Sequence, residues 1–238
     1  MGSLEKIQAM QQSLIPILVG PDHTVSSIWS VPENFTQGQT DAVILAHGAG
    51  NDMHHPFMAT YHEGLANAGL LSIKFNFPHK ELGRKAPDRP ALLLQTWAAV
   101  VQRLKDHPTL KPRRLFLCGK SMGGRIASMA VAEGLPCDGL IFLGYPLHPP
   151  KQPAKARTDH WPNIRCPSLF FEGTRDSLCD LDLLRTALPT LGGPFTLIPV
   201  EGGDHSFKVP KSTSSAPDTI HGAVIREITD WIGSLPVR

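Results

Sequence analysis

The run Arg114-Leu-Phe-Leu-Cys-Gly-Lys-Ser-Met-Gly-Gly-Arg-Ile-Ala-Ser-Met-Ala-Val-Ala-Glu133 carries the reading of the whole chain. Leu115 to Cys118 is continuously apolar, as a strand covered on both faces must be. Ile126, Met129 and Ala130 then recur at helical spacing. Between strand and helix lies Gly119-Lys-Ser-Met-Gly123, a G-x-S-x-G turn. Side chains at the glycine positions would crowd so tight a bend, and with glycine there the Ser121 hydroxyl stands above the sheet at a helix N-terminus. A bare match to the pattern is common. The strand before it and the helix after it give it meaning.

Outward from this stretch, strands alternate with helices. Downstream, 139–143 is a short apolar strand, and 145–167 contains prolines 146, 149, 150, 153, 162 and 167, which rule out a long helix. A strand over 168–171 runs into Glu172-Gly-Thr-Arg-Asp176, and a short helix over 180–187 stops before Pro189. A strand over 195–200 runs into Glu201-Gly-Gly-Asp-His205, a polar loop spans 208–217, and 220–232 has the period of a closing helix. Upstream, 91–105 is an amphipathic helix, and the basic, proline-bearing 76–90 reads as a solvated surface loop. A strand over 70–75 follows a helix over 57–68 that Gly69 ends, and the buried strand 42–46 opens directly into His47-Gly-Ala-Gly50. Weak strand signals over 14–19 and 25–29 form an edge hairpin. The expected fold is α/β: a mostly parallel central sheet with helices on both faces, one domain over 1–238, and no large cap.

Composition narrows the function. With 41% hydrophobic and 18% charged residues and a net charge of +2, the chain has no strong field for nucleic acid or an acidic membrane, so a small molecule is the expected partner. Cys118, Cys137, Cys166 and Cys179 show no C-x-x-C spacing and read as free thiols. No stretch approaches transmembrane length, and the apolar run 14–19 is broken by Pro16, so a reducing cytoplasm is the expected location. Met1-Gly2 does not begin a myristoylation signal, because Lys6 stands where Ser or Thr is needed. No cofactor, no metal and no fixed oligomeric state is implied by any motif.

A serine hydroxyl needs a base to take its proton, and the base needs an acid to orient it. In sites built on this turn the acid and then the histidine follow the serine, each after a strand. Asp176 and His205 occupy those places. Asp180 and Asp182 read instead as residues at a helix start, and Asp204 is adjacent to His205 and poorly placed to face it. The chain has eleven histidines, and His54, His55, His62, His79, His107, His148, His160 and His221 read as ordinary surface residues. An oxyanion needs two N–H donors: Met122, after the nucleophile, supplies one, and the second comes from His47-Gly-Ala-Gly50, with Ala49 preferred to Gly50. His47 shapes that loop rather than doing chemistry. Neither glycine pattern here is a phosphate fingerprint.

The set His47-Gly-Ala-Gly50, Gly119-Lys-Ser-Met-Gly-Gly-Arg125, Gly173-Thr-Arg-Asp176 and Gly203-Asp-His-Ser-Phe207 resembles the α/β-hydrolase superfamily from about Ala42 onward. Within it the chain is similar to the small intracellular branch near the dienelactone hydrolases and to the testis-expressed and KAT8-complex-regulatory-like α/β hydrolases. That resemblance implies the fold and a Ser-Asp-His triad. It implies no lactone chemistry, because Ser121 stands where the dienelactone hydrolases use cysteine. The expected activity is cleavage of an ester or related acyl bond of a small substrate through an acyl-enzyme. The alternatives are a non-catalytic interaction protein on the same fold, or a peptidase or acyltransferase. With only loops expected over 145–167, the site should be open and should favour short acyl chains.

Overall fold

The computed structural model describes residues 11–210 and 217–237. At its centre Ala42–Ala46 (β3) pairs in parallel with Leu115–Lys120 (β5), Ala46 lying beside Gly119. Every residue of both strands is buried. The pleat divides them between two cores: Ala42, Ile44 and Ala46 face one, Val43 and Leu45 the other. An unbroken apolar run is what such a two-faced strand requires.

The sheet is completed by Gln11–Val19 (β1), His23–Val31 (β2), Leu71–Phe75 (β4), Gly139–Leu143 (β6), Ser168–Gly173 (β7) and Phe195–Val200 (β8). Their order is β1-β2-β4-β3-β5-β6-β7-β8, with β3 to β8 mutually parallel. The expected hairpin forms the antiparallel edge, Leu14 opposite Ile28, and leaves Leu14 and Leu18 exposed.

Pro56–Asn67 (α1) and Pro217–Ser234 (α6) cover one face, packing Tyr61, Leu65, Val224 and Ile228 against Leu45 and Phe116. On the other face lie Pro90–Lys105 (α3), Met122–Ala132 (α4) and Leu181–Ala187 (α5), which bring Trp97, Ile126 and Leu184 into the core. Burying a side chain of this size stabilises the fold by about 1.5–3 kcal/mol. Proline opens α1 and α3 at their first helical residues, where a missing N–H leaves no carbonyl unpaired. At the sheet's amino end, Asp41 accepts from both Arg113 and Arg114, and Arg114 also donates to the carbonyls of Ile232 and Leu235 at the end of α6. Burial alone would raise the Asp41 pKa; the two guanidiniums outweigh it and hold it below the usual value.

The segment 76–90 departs from the expected surface loop in part: 81–87, 89 and 90 are exposed, whereas 76–79 and Asp88 are buried. It contains a single helical turn, Pro78–Glu81 (α2), and folds inward on His79, which is fully buried. Asp88 accepts from the His79 backbone N–H and ring and from Arg84, which ties the exposed basic stretch to the buried histidine. His62 is also buried, between Ser30 and Ser72, and His148 is nearly so, against their reading as surface residues. The segment 145–167 holds no helix beyond the short 3-10 turn Trp161–Asn163, so the fold carries no large cap. Cys118, Cys137 and Cys179 are free thiols, and the Cys137 sulfur lies 3.6 Å from that of Cys166. No helix among the described residues is long and apolar enough to cross a membrane. The loop expected over 208–217 lies mostly outside the described residues.

Candidate active site

Ser121 sits between β5 and α4 at φ 53° and ψ −117°, a left-handed conformation that costs a residue with a side chain about 1–3 kcal/mol. Tight packing holds it there. A Cβ at Gly119 would lie 2.0 Å from the Gly124 nitrogen, and one at Gly123 would lie 2.5 Å from the Ala46 carbonyl oxygen. The indole of Trp97 donates to the Gly123 carbonyl at 3.2 Å, and the Ser121 N–H reaches the Leu143 carbonyl at 3.3 Å. Strand end, helix start and the neighbouring strand together fix the turn.

Two more loops at the same end of the sheet converge on it. From the loop after β8, His205 brings Nε2 to 2.7 Å from the Ser121 hydroxyl. From the loop after β7, Asp176 brings Oδ2 to 2.5 Å from His205 Nδ1, and its Oδ1 accepts from the Leu178 N–H. Burial pushes the Asp176 carboxyl up, but hydrogen bonds from His205 and Glu172 outweigh it and hold the pKa below the usual value. The other acids lie elsewhere. Asp204 turns away to accept from the Ser206 and Lys208 N–H groups, closing the turn that presents His205. Asp180 caps α5, and Asp182 is exposed and pairs with Arg185.

Sequence reasoning overlooked two residues here. Glu172, the penultimate residue of β7, is fully buried and accepts from the Tyr145 N–H at 2.8 Å. Its other oxygen meets no donor and faces the Asp176 carboxylate. Adjoining buried carboxyls oppose each other's ionisation, so burial first and Asp176 second push the Glu172 pKa well up. Lys120, the first variable residue of G-x-S-x-G, is buried between Phe57 and Phe207 and donates to the His205 carbonyl. Burial lowers its pKa to about 8, against the pull of Asp176 and Glu172. The one available signal was a charge at the end of each apolar strand, pointing where a surface residue could not. Among the described residues, Glu172, Asp176 and His205 are also the one group with metal-ligand spacing, their donor atoms within 4.8 Å of one another. His205 Nδ1 and Asp176 are already engaged with each other at hydrogen-bond distance.

The loop after β3 faces the serine, with a Cβ at Gly48 lying 3.5 Å from that of Ser121. His47 is fully buried, and its Nε2 accepts from the Phe77 N–H at 3.1 Å. Nδ1 therefore carries the proton and donates to the Gly48 carbonyl at 2.7 Å. Burial lowers the His47 pKa to about 4, which keeps the ring neutral. In a trans peptide the Ala49 N–H points opposite to the Gly48 carbonyl, hence away from His47. Met122 is the first residue of α4, where a helix has no internal acceptor for the N–H. Met122 and Gly48 thus border Ser121, and His47 orients the peptide that joins Gly48 to Ala49.

Solved structures share this architecture. A dienelactone hydrolase from Anabaena variabilis is 21% identical, covering 96% of this chain and 99% of its own, with a TM-score of 0.73. Est1E from Butyrivibrio proteoclasticus is 14% identical over 93% of this chain and 99% of its own, also at 0.73. A lidless a/b serine hydrolase from Xanthomonas campestris is 19% identical over 96% and 99%, at 0.70. The family model described as "Alpha/beta hydrolase domain" matches residues 39–233, a span that includes the loops of Ser121, Asp176 and His205. By that match the chain belongs to the alpha/beta hydrolase domain family.

Proposed function

We propose that the protein is a serine hydrolase that cleaves an ester or related acyl bond of a small substrate through an acyl-enzyme. The observation that carries this reading is the strained Ser121, with His205 Nε2 2.7 Å from its hydroxyl and Asp176 2.5 Å from the far ring nitrogen. His205 takes the Ser121 proton as Oγ attacks the acyl carbon. The imidazolium so formed is stabilised by Asp176, and the N–H groups of Met122 and Ala49 receive the oxyanion. Collapse expels the leaving group, which takes the proton back from His205. A water molecule then repeats the sequence to release the acid. With no cap over 145–167, the site favours short acyl chains. Turnover of 4-nitrophenyl acetate tests the reading: Ser121→Ala should abolish it while circular dichroism stays unchanged, and equal turnover by the folded variant would refute it.

A further inference from the structure

Arg125 stands four residues after the nucleophile, and its backbone N–H donates to the Ser121 carbonyl at 3.0 Å. Residues at that spacing share a helix face, and the Cα–Cβ bond leans toward the helix N-terminus, so the Arg125 side chain leaves α4 on the Ser121 side. Ser121, Met122, Arg125 and Met129 remain partly exposed, whereas Gly123, Gly124, Ile126 and Ala127 between them are buried. Against this stripe lies the 145–167 segment. There the Tyr145 hydroxyl donates to the Arg157 carbonyl at 2.7 Å and accepts from the Trp161 indole, holding the Arg157 backbone in the segment that His160 joins to α4 through Ser128.

Neither guanidinium has a carboxylate partner among the described residues, although Arg84, Arg113, Arg114 and Arg185 each have one. Arg125 Nε is buried without an acceptor. Asp159, which is exposed, bridges neither arginine. The two charges act on each other: burial and then Arg125 lower the Arg157 pKa. Arg125 also acts on His160, whose pKa burial and then this charge lower to about 4. His160 is therefore neutral and adds no charge; its Nε2 lies 2.7 Å from the Ser128 hydroxyl, which donates to the Arg125 carbonyl. Partly buried charges are ordinarily paired, and two adjacent like charges with an orphaned donor form an incomplete set that an anion completes.

We propose that Arg125 and Arg157 form an anion-binding subsite beside Ser121, and that the acyl substrate carries a carboxylate or phosphate group held by these two guanidiniums. This deepens the hydrolase reading and rests on it. The planar guanidinium fork matches either anion.

Mono-4-nitrophenyl glutarate and 4-nitrophenyl valerate have acyl chains of equal length and differ in one terminal carboxylate. The wild-type protein should show a kcat/KM ratio favouring the glutarate, through KM, and Arg125→Gln or Arg157→Gln should each lower that ratio about tenfold. Arg185→Gln, which removes an equal charge elsewhere on the surface, should leave the ratio unchanged. A second readout needs no turnover: glutarate, or methyl phosphate in a parallel arm, should raise the melting temperature of Ser121→Ala protein, and Arg157→Gln should remove that rise. The arm that responds identifies the anion. Turnover of both esters with a ratio that neither arginine variant changes would overturn the subsite and leave the hydrolase intact. Stabilisation by the anion without turnover of either ester would support the subsite and refute the hydrolase. Absence of any anion effect, in rate or in melting, overturns the subsite outright.

Discussion

Replacing Asp176 by Asn keeps the shape of the side chain and removes the charge that stabilises the His205 imidazolium across a 2.5 Å contact. It should lower kcat by roughly three orders of magnitude or more. Asn in place of Asp204 can still accept from the Ser206 and Lys208 N–H groups, so its loss should be roughly tenfold or less. Parallel kcat measurements on the two variants decide, and the reverse order would move the orienting acid to Asp204. Ser121, His205 and Asp176 were readable because each follows an apolar strand in a glycine-bearing loop. Glu172 and Lys120 were not, since their importance comes from burial and from contacts distant in sequence: Glu172 meets Tyr145 across 27 residues and Lys120 meets His205 across 85. Likewise Arg125 gives no signal in the sequence, because its missing partner is a property of the folded surroundings.

The turn between β5 and α4 works as one piece, and its tolerance to a methyl group differs sharply along the chain. A Cβ at Gly119 would fall 2.0 Å from backbone in α4, which no rotamer can relieve, while one at Gly50 would meet nothing within 4 Å. Gly119→Ala should therefore lower stability by about 2 kcal/mol or more, whereas Gly50→Ala should stay within about 0.5 kcal/mol of wild type. Urea unfolding midpoints test both, and equal midpoints would show that the turn adapts. At this scale the central strands were legible from their apolar runs alone, and so was the hairpin of β1 and β2. The segment 76–90 was legible only in part: its basic residues do face solvent, but the His79–Asp88–Arg84 network within it buries a histidine. Nothing in the local sequence marks that closure, because the pairing of Asp88 with His79 is set by the bend between them.

Across the molecule, burial holds His47 and His160 at pKa values of about 4, and burial with the nearby Lys74 holds His62 at about 3. In the unfolded chain each would titrate near 6.5. Between those values the unfolded state binds more protons, so stability is fully present above about pH 6.5 and is lost as pH falls toward 4. The loss should be on the order of a few kcal/mol by about pH 4.5, seen as a falling urea midpoint, and His62→Gln should flatten that slope. A slope equal in the wild type and the variant would place the titration elsewhere. The architecture itself follows from the strand-turn-helix at Ser121 repeated as strand-loop pairs across a parallel sheet, which gathers three distant loops at the carboxyl ends of β5, β7 and β8. The central claim is that this gathering makes Ser121 a nucleophile. Treatment with a fluorophosphonate probe followed by intact-mass and peptide analysis tests it directly: the account predicts a single phosphonyl adduct on the peptide containing Ser121, absent from Ser121→Ala. An unmodified wild-type protein, or an equal adduct on Ser121→Ala, would contradict it.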